Sequence, residues 1–219
     1  MATLVKICGI NSAEAADAAV RAGADFAGLM FHPRSPRNLK LDVATMLAER
    51  LRGRVRLVAV FADARDEDMA AAVTAVRPDF IQLHGLESPE RVAAIHGRFG
   101  TPIIRAIAIA EPSDLNSVAK YEDVVDMFLF DAKPPSGAAR EGGHGAAFDW
   151  QMLKGRNFSR PWLLAGGLNV ANVARAIQST NAPGVDVSSG VETAPGIKSP
   201  DMIRDFVSAA RATQMAVTP

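Results

Sequence analysis

Short apolar runs recur along the chain, and each breaks into a polar or small residue before a stretch with helical spacing. The runs cover residues 4–7, 24–31, 55–61, 80–83, 102–107, 125–130, 162–164 and 185–187. Most are too short and too uniformly apolar for amphipathic helices, so they predict strands covered on both faces. Between them lie helix starts. Asn11, with Glu14 three residues on, predicts a capping box ahead of an Ala-rich helix to Arg21. Asp42 is expected to cap a helix to Leu51, residues 66–76 form the next, and Ser88-Pro89-Glu90 opens a fourth with Pro in the first turn. A short helix is expected at 113–119 and a weak one at 150–153; Asn169 caps another to Ile177, and Ser199-Pro200-Asp201 starts a last one ending near Ala212.

Eight strands, each followed by a helix, predict a parallel sheet with crossover helices, closed into a single-domain (β/α)8 TIM barrel over residues 1–219. A doubly wound open sheet would place its glycine-rich turn after the first strand. Here the glycine-rich turns come late, in Leu164-Ala165-Gly166-Gly167-Leu168 and in Val185-Asp186-Val187-Ser188-Ser189-Gly190-Val191-Glu192. Small residues leading into a helix start offer unpaired N–H groups to an anion, and barrels commonly bind phosphate after strands seven and eight. A phosphorylated small molecule is therefore the expected ligand.

Composition narrows this further. Hydrophobic residues make up 48% of the chain and charged residues 22%, enough for a large core under an ordinary soluble surface. Lysine and arginine balance aspartate and glutamate at 24 each, so nucleic acid is not an expected partner. One cysteine, Cys8, excludes an internal disulfide and fits a reducing compartment. The first residues lack a signal-peptide pattern, and no apolar run reaches the roughly 18 residues of a membrane helix. A cytoplasmic protein with no membrane partner is expected; monomer and homodimer both stay open.

In such barrels the chemistry lies at the C-terminal ends of the strands. The residues placed there are Cys8, Arg34, Arg37, Asp63, His84, Asp131, Gly166, Gly167, and Asp186 with Ser188, Ser189 and Gly190. The longest connections, after strands two and six, are candidate walls or lids. Cys8 is either a small buried hydrophobe or, with cations near, a thiol of lowered pKa that acts as a base. Asp131 is either a cap or loop ion pair, or a carboxyl in an apolar rim that stays protonated and donates to a leaving oxygen. Arg34 fits a solvated turn, whereas Arg37, fixed by Ser35-Pro36, could grip a carboxylate. His84 is a supporting hydrogen-bond partner or a ligand contact, and His144 a loop residue. Four scattered histidines with a single cysteine offer no metal-ligand spacing, so no metal is expected.

An ordered series of motifs runs through these positions: Lys6-Ile7-Cys8-Gly9-Ile10, Gly28-Leu29-Met30-Phe31 with Ser35-Pro36-Arg37, Gln82-Leu83-His84-Gly85, Phe130-Asp131, Gly142-Gly143-His144-Gly145 through Trp150, and the two glycine turns above. From about residue 4 to 210 the chain resembles phosphoribosylanthranilate isomerase, a tryptophan-pathway family; Ala59, where that family often has glycine, is the one soft departure. The resemblance implies an Amadori rearrangement of N-(5-phosphoribosyl)anthranilate without a cofactor. It implies Asp131 as general acid, Cys8 as general base and Arg37 on the anthranilate carboxylate. Gly166-Gly167 and Ser189-Gly190 would form the phosphate cup, with Asp186 orienting the amino group. The rivals are another sugar-phosphate barrel enzyme and a non-catalytic barrel that binds a phosphometabolite.

Overall fold

The computed structural model describes residues 2–133 and 149–215. Eight parallel strands close into a barrel in sequence order: β1 (Leu4–Cys8), β2 (Phe26–Met30), β3 (Arg56–Phe61), β4 (Phe80–Leu83), β5 (Ile103–Ile109), β6 (Met127–Ala132), β7 (Trp162–Leu164) and β8 (Gly184–Val187). Helices α1 (Ala13–Ala22), α2 (Leu41–Leu51), α3 (Asp66–Val76), α4 (Pro89–Phe99), α5 (Val173–Thr180) and α6 (Pro200–Met215) surround it. Two of the expected helices are instead 3-10 segments, Pro112–Lys120 after β5 and Trp150–Leu153 before β7. A hairpin that the apolar pattern did not show, β9 (Glu192–Ala194) with β10 (Ile197–Lys198), follows β8. Among the described residues no helix is long and apolar enough to cross a membrane. Most of the loop 132–147, with His144 and the expected closure over a ligand, lies outside the described residues.

The alternation of side chains along each strand decides what reaches the centre of the barrel. Val5 and Ile7 of β1, Ala27 and Leu29 of β2, Leu57, Ala59 and Phe61 of β3, and Phe128 and Phe130 of β6 join the layer under the helices. The opposite parity fills the bore with Cys8, Phe26, Val58, Val60, Ile104, Ala106, Met127, Leu129 and Leu163. Ala59 is fully buried in the outer layer, away from the bore. Behind the end of β6, Phe130 packs on Phe158 and Trp162 at ring separations of 4.5 and 5.5 Å, which steadies the rim at Asp131.

Three helix starts differ from expectation by one to a few residues. Ser12 caps α1, its hydroxyl accepting from the Ala15 N–H, while the Asn11 side chain donates to the Gly196 carbonyl. Lys40 stands at the N-cap of α2, with Asp42 inside the first turn. Asn169 and Asn172 bond to each other's turn, so α5 begins only at Val173.

Arg105 shows how the rim is fastened. It lies on the outer parity of β5, almost fully buried, and donates to the Leu83 and Gly85 carbonyls and to the Glu87 carboxylate at 2.8 Å. Glu87 in turn accepts from the Gly85 and Asp63 N–H groups, and Asp63 accepts from the Leu86 N–H. The turn after β4, which carries His84, is thus tied to β3 and β5. Removing one partner of a buried ion pair leaves the other charge uncompensated, which costs about 3–5 kcal/mol. Glu87→Ala is expected to lower unfolding stability by that order in a urea titration; a loss below about 1 kcal/mol, the scale of an exposed pair, would show that the network is not holding the turn.

Candidate active site

Strand parity delivers the charged groups to one end of the bore. On β1, Lys6 and Cys8 share the inner face; Lys6 is fully buried and Cys8 4% exposed. Lys6 is the register partner of Asp186 on β8, and its ammonium donates to the Asp186 carboxylate at 2.8 Å. Burial alone would lower the pKa of Lys6, but Asp186 and Cys8 more than offset it, and the net direction is upward. Of the two readings of Cys8, the buried one agrees with its surroundings: burial pushes the thiol up, Asp186 adds to the rise, and the nearby Lys6 and Lys198 charges offset it only in part.

Asp131, the last inward residue of β6, presents one carboxylate oxygen to His84 Nε2 at 3.2 Å, while the other accepts from the Ala132 N–H. The rim there is polar, as in the ion-pair reading of Asp131 and unlike the apolar one. His84 is itself held by Gln82, whose amide nitrogen lies 2.9 Å from Nδ1. With the amide donating, Nδ1 accepts and the ring proton sits on Nε2, facing Asp131.

Arg37 reaches the site from the connection between β2 and α2, its stem lying over Gly9 next to Cys8. Its Nε and one terminal nitrogen donate to Glu192 at 2.6 and 2.7 Å, a bidentate pair with both side chains at most 4% exposed. Lys198 completes the unit, donating to Glu192 at 2.7 Å and to the Ser188 carbonyl at 3.0 Å. Burial opposes ionisation of Glu192, yet Arg37 and Lys198 hold its carboxyl below the usual range. Lys198 is pushed down by burial and by the Arg37 charge.

The two glycine turns meet. Gly166 and Gly167 both have positive φ, and a Cβ on Gly190 would stand 1.9 Å from the Leu168 carbonyl oxygen, so only glycine lets the turn after β8 close on the turn after β7. Ser188 donates to the Cys8 carbonyl at 3.1 Å, which ties the second turn to the end of β1, and Ser189 and Gly190 start a short 3-10 segment. Cys8 and Asp131 therefore stand on the inner parity near the C-terminal ends of β1 and β6, with His84 against Asp131, Asp186 on Lys6 two residues before Cys8, and Ser188 and Arg37 beside the end of β1. Arg34 and Asp63 do not join them; they line a cleft of about 730 Å³ whose walls include none of Cys8, His84, Asp131 or Asp186.

Sequence reasoning gave no role to Lys6, Gln82, Glu87, Arg105, Glu192 or Lys198. Lys6 and Gln82 had a usable signal: a polar residue two positions before a rim candidate shares its face of the strand. Glu192 and Lys198 had none, because their partners lie at least six residues away across a hairpin.

Comparison with known proteins agrees with this geometry. The sequence profile of the family described as N-(5'phosphoribosyl)anthranilate (PRA) isomerase matches residues 5–209. The N-(5'-phosphoribosyl)anthranilate isomerase of Rhodopseudomonas palustris (strain ATCC BAA-98 / CGA009) is 52% identical over 212 residues, which span 97% of this chain and 100% of that protein. Among solved structures, the phosphoribosyl anthranilate isomerase of Thermotoga maritima superposes with a TM-score of 0.86 at 34% identity, covering 96% of this chain and 99% of that one. A second, solved in complex with reduced 1-(o-carboxyphenylamino)-1-deoxyribulose 5-phosphate, gives 0.82 at 32% identity with the same coverage. The chain belongs to the N-(5'-phosphoribosyl)anthranilate isomerase family.

Proposed function

We propose that this enzyme rearranges N-(5-phosphoribosyl)anthranilate to 1-(2-carboxyphenylamino)-1-deoxyribulose 5-phosphate, with Asp131 as general acid and Cys8 as general base. The observation that carries the assignment is the placement of the chain's one thiol and of the His84-linked carboxyl on the inner face of β1 and β6, at the same end of the bore as the joined glycine turns. A phosphorylated ligand is supported by the solved relative that holds a ketose phosphate analogue.

Asp131 donates a proton to the furanose oxygen as the bond between that oxygen and the first sugar carbon breaks, and the nitrogen lone pair forms the Schiff base. The iminium makes the proton on the second carbon acidic. Cys8 removes it, and the electron pair moves into the bond between the first and second carbons. The enol form then gains a proton at the first carbon and loses one from the second hydroxyl to give the ketose.

The other residues bind. Gly166-Gly167 and Ser189-Gly190, with Ser188 fixing the second turn, take the phosphate. Arg37 meets the anthranilate carboxylate with the guanidinium edge that Glu192 does not occupy, Asp186 faces the substrate nitrogen, and His84 supports Asp131. A single acid or base group contributes about 10²- to 10⁴-fold to rate. Cys8→Ser and Asp131→Asn are each expected to cut kcat by that order with KM little changed; wild-type turnover in either variant removes that residue from the mechanism. Arg37→Ala is expected to raise KM about tenfold or more, the scale of a charged hydrogen bond, and an unmoved KM would assign the carboxylate to another cation.

A further inference from the structure

The mechanism needs a thiolate, and the site holds the thiol up. The resolution lies beneath it. Lys6 is wholly enclosed in the barrel, two residues before Cys8 on the same face of β1, and paired at 2.8 Å with Asp186. A buried ammonium persists only where its charge is matched. Two groups compete to match it. A Cβ placed on Gly28 of β2 would stand 2.9 Å from the Cys8 sulfur and 3.4 Å from the Lys6 nitrogen, so the glycine leaves both facing one small space. Asp186 keeps 7% of its surface exposed, whereas Lys6 keeps none.

We propose that Lys6 is a positioning residue for the base, a buried cation shared between Asp186 and Cys8 whose charge passes to the sulfur when a cationic substrate nitrogen engages Asp186. The inference rests on Cys8 being the base. In the free enzyme Asp186 holds the ammonium, and Cys8 stays protonated. Once the iminium of the open sugar pairs with Asp186, the Lys6 charge is under-compensated and ionisation of Cys8 restores the balance. The S–H bond breaks, the proton passes to solvent, and the sulfur keeps the electron pair with which it then takes the proton from the second sugar carbon. The base is thereby switched on by the substrate it acts on. Among the described residues, the other charged groups on this side of the barrel are Lys198 of β10 and Arg37 above Gly9, with Asp131 on β6 and His84 after β4. Lys198 and Arg37 are committed to Glu192. Of these three cations, Lys6 is the one whose partner, Asp186, the substrate nitrogen can engage.

Cys8 is the only cysteine in the chain, so the ultraviolet absorbance of the thiolate reports it alone. The test is to titrate wild type, Lys6→Met and Asp186→Asn without substrate. Lys6→Met is expected to move the Cys8 midpoint upward by about one pH unit or more, leaving roughly tenfold less thiolate at a given pH below it; Asp186→Asn, which imitates loss of the carboxylate's hold, is expected to move it down by a similar amount. Either variant titrating as wild type while keeping the native circular dichroism overturns the proposal. If Lys6→Met does not fold, Asp186→Asn decides alone: a downward shift upholds the shared cation and an unmoved midpoint overturns it. The titration involves no turnover, so it stands apart from the Cys8→Ser rate, which tests the assignment of the base itself.

Discussion

A parallel strand turns alternate side chains to opposite faces, and in a closed barrel those faces are the helix-covered layer and the bore. The whole site depends on that period of two. Lys6 and Cys8 point inward because Val5 and Ile7 are committed to the outer core, and Asp131 follows Met127 and Leu129 on the inner parity of β6. A slip of one residue in β1 would bury two aliphatic side chains in the bore and drive an ammonium and a thiol under the helices. The large apolar area on the outer face opposes any such slip, so packing far from the chemistry fixes which atoms perform it.

On this frame three buried carboxylates each fasten one part of the opening. Asp186 holds Lys6 under the thiol, Glu192 holds Arg37 and Lys198 beside the second glycine turn, and Glu87 holds Arg105 behind the turn that carries His84. Buried pairs contribute little net stability against apolar replacements of the same shape. Their effect is geometric. Each fixes a cation or a turn in one arrangement, as a site must when its acid and base have to meet a single substrate from two strands. The pairs differ in one respect that bears on function. Glu192 accepts from two cations, Arg37 and Lys198, whereas Asp186 accepts from Lys6.

Much of this was legible in the sequence. The eight apolar runs lie on the eight strands, because a strand sheathed on both faces must be a short unbroken apolar stretch, and Cys8, His84, Asp131, Asp186 and Ser188 fall at or just past the C-terminal ends of strands. Helix starts were less legible. Asn11, Asp42 and Asn169 all have cap chemistry, but a tertiary bond to Gly196, the first turn of α2 and a bond to Asn172 respectively decide their places. Sequence left both readings of Asp131 and of Cys8 open, since the choice depends on burial and on groups from other strands, His84 and Asp186. Local spacing reports what one strand carries to the rim, and says nothing of which neighbour the closed barrel sets beside it.

The most direct measurement is the fluorescence decay of phosphoribosylanthranilate, generated in situ from anthranilate and phosphoribosyl pyrophosphate by the preceding transferase, with and without this protein and in the presence of a chelator. The account predicts decay well above the spontaneous rate, unaffected by the chelator and accompanied by formation of the aminodeoxyribulose phosphate. Decay no faster than spontaneous hydrolysis, from folded protein, would contradict it.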